Sequence, residues 1–165
     1  MRHYRIVPFP AGTLTLLEED GYIVGIRTTG EPPPAAQDRQ TPVLARAAAQ
    51  LDAYFEGSLK TFDLPLRLSG TPFQMAVWNA LKTIPYGETR SYGDIARVIG
   101  HPKAYRAVGM ANHRNPVAIV IPCHRVIGSD GTLTGYGGGL PLKAWLLSQE
   151  RIHAQEEGGC ICLRN

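Results

Sequence analysis

Cysteine is scarce in this chain, and so are charge and long apolar runs; each scarcity closes off a class of protein. Only three of the 165 residues are cysteine, two of them at Cys160 and Cys162 near the C-terminus. No disulfide framework can be built from that, and a reducing, cytoplasmic setting is expected, with the two late thiols simply solvated. No apolar run approaches the roughly 20 residues that span a bilayer. The opening MRHYRIVPFP alternates like a strand and lacks the apolar centre of a signal peptide. Charged residues make up 19% against 44% hydrophobic, the balance of a packed protein rather than a disordered tail. The chain also lacks Cys/His metal spacing and the Lys-Ser/Thr ending of a phosphate loop, so neither metal nor cofactor is expected.

What charge there is lies unevenly. Residues 1–69 hold seven Lys/Arg against eight Asp/Glu, whereas residues 70–152 hold nine against four. A one-sided basic surface is the footprint of a nucleic-acid partner, although an excess of this size also occurs on ordinary surfaces.

Taken in order, Arg2–Phe9, Thr13–Glu18 and Tyr22–Thr28 read as short strands separated by turns. The Gly30–Pro34 stretch excludes helix and central strand. A helix follows over Pro42–Glu56, capped by Thr41 and ended by Gly57, with Leu44, Ala48, Leu51 and Phe55 on its inner face. Phe62, Leu64, Leu66 and Leu68 alternate as an edge strand, because Pro65 breaks a central one. Ser69-Gly70 is the expected boundary between a small α+β supporting domain, 1–69, and a second domain, 70–152, with a polar tail over 153–165.

The second domain opens with a capping box at Thr71–Gln74 and a helix burying Phe73, Val77, Leu81 and Ile84, with Trp78 in the core. Helices from Tyr92 to Ile99 and from Lys103 to Asn112, joined through Gly100, suggest a helix-turn-helix. The latter helix is lined by Ala104, Ala107, Gly109 and Ala111, with Arg106 as its one long cation. Small residues permit close approach to another helix or to a nucleic-acid groove. A last helix is expected over Pro141–Gln149, which leaves Glu150 at a C-terminal end where the helix dipole disfavours a carboxylate.

Between these helices lies NPVAIVIPCHRV, Asn115–Val126. Val117–Ile121 reads as a buried strand, and Pro122 ends it. Cys123, His124 and Arg125 come at that break. Positive neighbours lower a thiol pKa from about 8.5 into a range of roughly 3.5–7.5, so the group is a candidate activated thiolate. A buried cysteine after an apolar run is also ordinary packing. Neighbours in an extended chain point to opposite faces, so His124 serves Cys123 only if the backbone turns after Pro122 or a water bridges them.

With TPFQMAVWNAL, IPYGETRSYGDIA, AYRAVGMAN, RNPVAIVIPCHRVIG, TGYGGGL and KAWLLSQE in order, residues 71–150 resemble the methylated-DNA–protein-cysteine methyltransferases (O6-alkylguanine-DNA alkyltransferases). The N-terminal part resembles that family's variable domain more loosely. The resemblance implies an α+β fold: an RNase H-like first domain, then a mostly helical, winged-helix-like domain. It implies a monomer that binds the minor-groove side of double-stranded DNA. It further implies single-use transfer of a methyl or small alkyl group from O6 of a flipped guanine to Cys123, leaving O4 of thymine open. Cys123 is then the nucleophile, His124 its base through a water, Glu150 the group orienting His124, and Asn115 the brace of the turn. Arg106 fills the base stack, and Tyr92 crowds the phosphate and donates to the guanine. The carbonyls of Cys123 and Val126 accept from its exocyclic amine, and the Gly137 N–H meets O6. Ser91, Ala104, Arg106 and Arg125 complete the DNA-binding set. The setting would be nucleoid-associated in a prokaryote and nuclear in a eukaryote. Two other readings compete: a non-catalytic lesion sensor of the same fold, against which Cys123 itself argues, and a Cys-His hydrolase that regenerates its thiol.

Overall fold

The computed structural model describes the backbone of residues 1–162 and the side chains of residues 1–156. Strands β1 (Arg2–Phe9), β2 (Gly12–Glu19) and β3 (Tyr22–Arg27) form an antiparallel meander. A three-residue strand, β4 (Ala36–Asp38), adds parallel to β1, so the sheet order is β3-β2-β1-β4. β4 is too short to show alternation, which is why no sequence pattern announces it. In place of the expected edge strand at Phe62–Leu68 there is one bridge, Leu66 to Ile23. Pro65 has no N–H to extend the ladder, but its carbonyl accepts from Ile23 at 2.8 Å.

Helix α1 (Pro42–Glu56) crosses the sheet as expected. Thr41 Oγ1 caps the Leu44 N–H, and Gly57 ends the helix at φ 85°, a left-handed conformation that glycine adopts without steric cost. Its buried stripe is Leu44, Ala47, Leu51 and Tyr54, rotated from the expected one. Phe55 lies at the rim, stacked 5.1 Å from Phe9 and tilted against Trp145 at 5.9 Å. That rotation turns Tyr54 toward the second half of the chain.

The second half is helical. α2 (Pro72–Leu81) carries the full Thr71/Gln74 capping box. Trp78 is in the core, its Nε1–H donating to the Ala111 carbonyl at 2.8 Å. This bond ties α2 to α4 (Tyr105–His113), which with α3 (Tyr92–Val98) forms the helix-turn-helix. Short strands β5 (Arg90–Ser91) and β6 (Val126–Ile127) pair in parallel beside it.

Two expectations fail here. The final helix, α5, runs Leu140–Cys162 rather than stopping at Gln149, so Glu150 stands in mid-helix and its position owes nothing to a helix end. The polar tail expected from 153 is therefore helical as far as Cys162. Its last residues, 163–165, and the side chains of Cys160 and Cys162 lie outside the described residues. Val117, Ile119 and Ile121 are buried, but Val117–Ile121 is not a strand. Val117 bridges β3, where Ile26 N–H donates to Pro116 O at 3.0 Å, and the chain then folds back so that Ile121 N–H reaches Val117 O at 3.1 Å. The reversal places Ile119 at φ 73°. An apolar, β-branched run suits a buried turn as well as a buried strand when the surrounding core confines it.

Candidate active site

The turn before Cys123 is held from two sides. Asn115 Nδ2 donates to Ile121 O at 2.8 Å, and Asn115 Oδ1 accepts the Val117 N–H at 3.0 Å. A β-branched residue in the left-handed region costs on the order of 1–3 kcal/mol, and Ile119, fully buried, is kept there by the packing around it. The chain leaves Pro122 in a single 3-10 turn, Cys123–Arg125. The backbone does turn after the proline, so Cys123 and His124 are not confined to opposite faces.

Beneath this turn lies a buried polar cluster centred on Glu150. Its carboxylate accepts from Arg125 Nε (2.8 Å) and Nη2 (3.2 Å), Tyr54 Oη (2.6 Å) and the Gly87 N–H (3.1 Å). His124 Nε2 lies 2.5 Å from Glu150 Oε2. Burial pushes the Glu150 carboxyl up, but the hydrogen bond from His124 and the hydrogen bonds and charge of Arg125 outweigh it and bring it down to about 2. Burial pulls His124 below its ordinary value, against the opposing hydrogen bond and charge of Glu150. The imidazole is therefore neutral. With Nε2–H donating to the carboxylate, Nδ1 carries the free lone pair, and it has no hydrogen-bond partner in the protein. A carboxylate that fixes a histidine tautomer and leaves one imidazole nitrogen free makes His124, the residue next to the thiol in the chain, a candidate proton acceptor.

The thiol itself departs from expectation. Burial raises the Cys123 pKa, and the Asn115 hydrogen bond and the Lys143 charge offset this only in part. Arg125 is neutralised by Glu150 and His124 is uncharged, so neither is the positive neighbour that the sequence suggests. Cys123 opens on a cavity of about 290 Å³ that is also lined by Asn112, Asn115, Tyr136, Gly137 and β3.

The other expected residues spread around this centre. Gly137 lines the cavity. Val126 is buried, its carbonyl accepting from Lys143 Nζ at 2.5 Å. Tyr92 borders a neighbouring groove, its hydroxyl donating to Thr134 O at 2.9 Å. Arg106 projects from α4 into solvent, its guanidinium 6.0 Å from the Tyr105 ring centre. Ala104 precedes the first turn of α4 without a side-chain cap, and Ser91 Oγ is engaged in capping α3. Arg125 is a correction. It is buried, bound to Glu150 and to the Ile84 carbonyl at 2.8 Å, and so offers no surface to DNA.

Three residues escape sequence reasoning. Lys143 is fully buried and donates to Val126 O and Thr134 O. Its one visible signal is helical spacing, since it shares a face with Leu146 and Glu150. Tyr54 looks like one more aromatic of α1. Asn112, 3% exposed, looks like the end of the Ala-rich helix.

Fold and site define a cysteine-centred helix-turn-helix protein with a sheet domain packed against it. Residues 72–152 match the DNA-binding domain of 6-O-methylguanine DNA methyltransferase, and residues 2–68 match its ribonuclease-like domain. The methylated-DNA–protein-cysteine methyltransferase of Mycolicibacterium paratuberculosis is 54% identical, covering 93% of this chain and 95% of its own. The constitutive enzyme of that name from Bacillus subtilis is 47% identical, covering 95% and 100%. The crystal structure of Mycobacterium tuberculosis OGT in complex with DNA superposes with a TM-score of 0.86 at 50% identity, over 92% of this chain and 94% of that one. The chain belongs to the 6-O-methylguanine DNA methyltransferase family.

Proposed function

We propose that this protein repairs DNA by moving a methyl or small alkyl group from O6 of guanine to Cys123, once per molecule. The observation that carries the reading is the Cys123 thiol at the wall of a base-sized cavity, backed by a neutral histidine whose tautomer Glu150 fixes. Arg106 enters the duplex from the minor-groove side as the damaged base leaves it, offsetting part of a flipping cost of a few kcal/mol. The small side chains of α4 permit that close approach, and Ser91 and Ala104 flank the same surface. Tyr92 supplies a hydroxyl beside the entering nucleotide.

The Cys123 proton passes through a water to His124 Nδ1, and Asn115 and Lys143 favour the resulting thiolate. Sulfur attacks the alkyl carbon, the S–C bond forms, and the C–O6 bond breaks with its electron pair going to the purine. The purine regains one proton and is unmodified guanine. The Gly137 N–H faces O6 as charge develops there. The thioether left behind has no electrophilic carbonyl for water to attack, so the thiol is not regenerated. A monomer suffices for this, in the cytoplasm or at the nucleoid; among the described residues no helix is long and apolar enough to cross a membrane.

The test is intact mass after incubation with excess duplex carrying O6-methylguanine. One methyl per protein, mapped to Cys123 and absent in Cys123→Ala, is expected. Sustained turnover, or methylation chiefly at Cys160 or Cys162, would overturn the reading.

A further inference from the structure

The cavity beside Cys123 is bordered by a residue whose buried acceptor has nothing to accept. Asn112 lies at the end of α4, 3% exposed, and lines the cavity together with the thiol. Its Nδ2 donates to the Cys123 carbonyl at 3.2 Å, which fixes the amide orientation and leaves Oδ1 as the free oxygen. That oxygen has no hydrogen-bond partner. A buried, unpaired amide oxygen is costly unless a ligand satisfies it.

Of the neighbouring acceptors one is fully in use and the other half in use. The Cys123 carbonyl takes the Val126 N–H as well as Asn112 Nδ2, and a carbonyl has two lone pairs. The Val126 carbonyl holds Lys143 Nζ at 2.5 Å and keeps one lone pair. An exocyclic amine brings two N–H donors, so it needs a second acceptor besides Val126.

We infer that Asn112 Oδ1 reads the exocyclic amine of the flipped base and is a specificity-determining residue for guanine over bases without that amine. This rests on the methyl-transfer reading above. O6-alkylguanine offers an amine donor, whereas O4-alkylthymine offers an O2 acceptor on the corresponding edge, which would face the Asn112 oxygen as a like partner. The site therefore disfavours the pyrimidine by electrostatics.

The test compares O6-methylguanine with O6-methylhypoxanthine, which differs only in lacking the amine, each in a single strand so that base pairing does not contribute. Single-turnover transfer is followed by mass for wild type, Asn112→Leu and Asn112→Asp. Wild type should prefer the guanine substrate by about tenfold, the order expected for one buried hydrogen bond. Asn112→Leu should bring the two rates within about twofold, while Asn112→Asp, which keeps an acceptor, should retain the preference even if both of its rates fall. If Asn112 only props the Cys123 carbonyl, Asn112→Leu slows both substrates equally and the ratio is unchanged, which overturns the inference. Equal wild-type rates on the two substrates overturn it without any variant. No transfer from either substrate overturns the methyl-transfer reading itself.

Discussion

His124 Nε2 and Glu150 Oε2 stand 2.5 Å apart with neither side chain reaching solvent, so the carboxylate decides which imidazole nitrogen is left free. Glu150→Gln keeps the shape but removes the charge, and it leaves the buried Arg125 without a counter-ion. Breaking one partner of such a pair costs about 3–5 kcal/mol. Urea unfolding should show a loss of this size, and methyl transfer should slow as the tautomer is released. A variant as stable as wild type would mean that Arg125 finds another anion.

Stability should fall on both sides of neutrality. Glu150 sits at about 2 against an ordinary 4.5. A pKa lowered by folding stabilises above the unfolded value and is lost as pH falls through the folded one, here between 4.5 and about 2, worth roughly 3 kcal/mol. His124, lowered by burial, acts with the same sign, its loss beginning below 6.5. Cys123 and Tyr54 are raised, chiefly by burial, so their contributions are complete at neutral pH and disappear in alkali. Urea midpoints measured across pH should trace this dome, and Glu150→Gln should flatten its acid limb. An acid limb unchanged in that variant would place the titrating group elsewhere.

Lys143→Met removes the buried ammonium while keeping most of its volume. The charge that favours the Cys123 thiolate is then gone, so the pH of half-maximal Cys123 alkylation by iodoacetamide, read by peptide mass, should move up from the wild-type value. The Val126 and Thr134 carbonyls also lose their donor, at about 1–3 kcal/mol for each group left unpaired. An unmoved alkylation profile would restrict Lys143 to holding the loop.

Arg106→Ala separates intercalation from simple charge. A lone phosphate contact would weaken binding evenly and lower the salt slope by about one. An arginine that occupies the vacated stack matters chiefly when a paired base must be extracted. Single-turnover rates should therefore fall much further on O6-methylguanine in a duplex than in a single strand. Equal losses on both would leave Arg106 an ordinary cation.

Trp78→Phe deletes the indole N–H that holds the Ala111 carbonyl. The expected loss is about 1–3 kcal/mol of stability, and transfer on duplex DNA should suffer because α4 carries Arg106. Unchanged stability would show that packing alone positions α4.

The elements most legible in the sequence are those whose ends carry local chemistry: Thr41 and Gly57 around α1, and the Thr71/Gln74 box of α2. Cys123, His124 and Asn115 stand out because a proline, a thiol and an imidazole share one short stretch. What stayed hidden depends on distant partners. Arg125 reads as a surface cation until Glu150, 25 residues on, is seen to bind it. Lys143 reads the same way until the Val126 carbonyl is found above it. The Val117–Ile121 reversal is invisible because composition reports burial but not the sign of φ at Ile119.

Tyr54 belongs to the sheet domain, yet its hydroxyl lies 2.6 Å from Glu150 of the other half. A shortened chain beginning near residue 70 would keep Cys123, His124 and Glu150, yet it would lose the β3 wall of the cavity and one donor to the acid beneath the thiol. Efforts to miniaturise the protein, or to graft the helical half onto a new partner, must therefore bring a phenol or an equivalent donor with them. The two halves are joined by chemistry as well as by peptide.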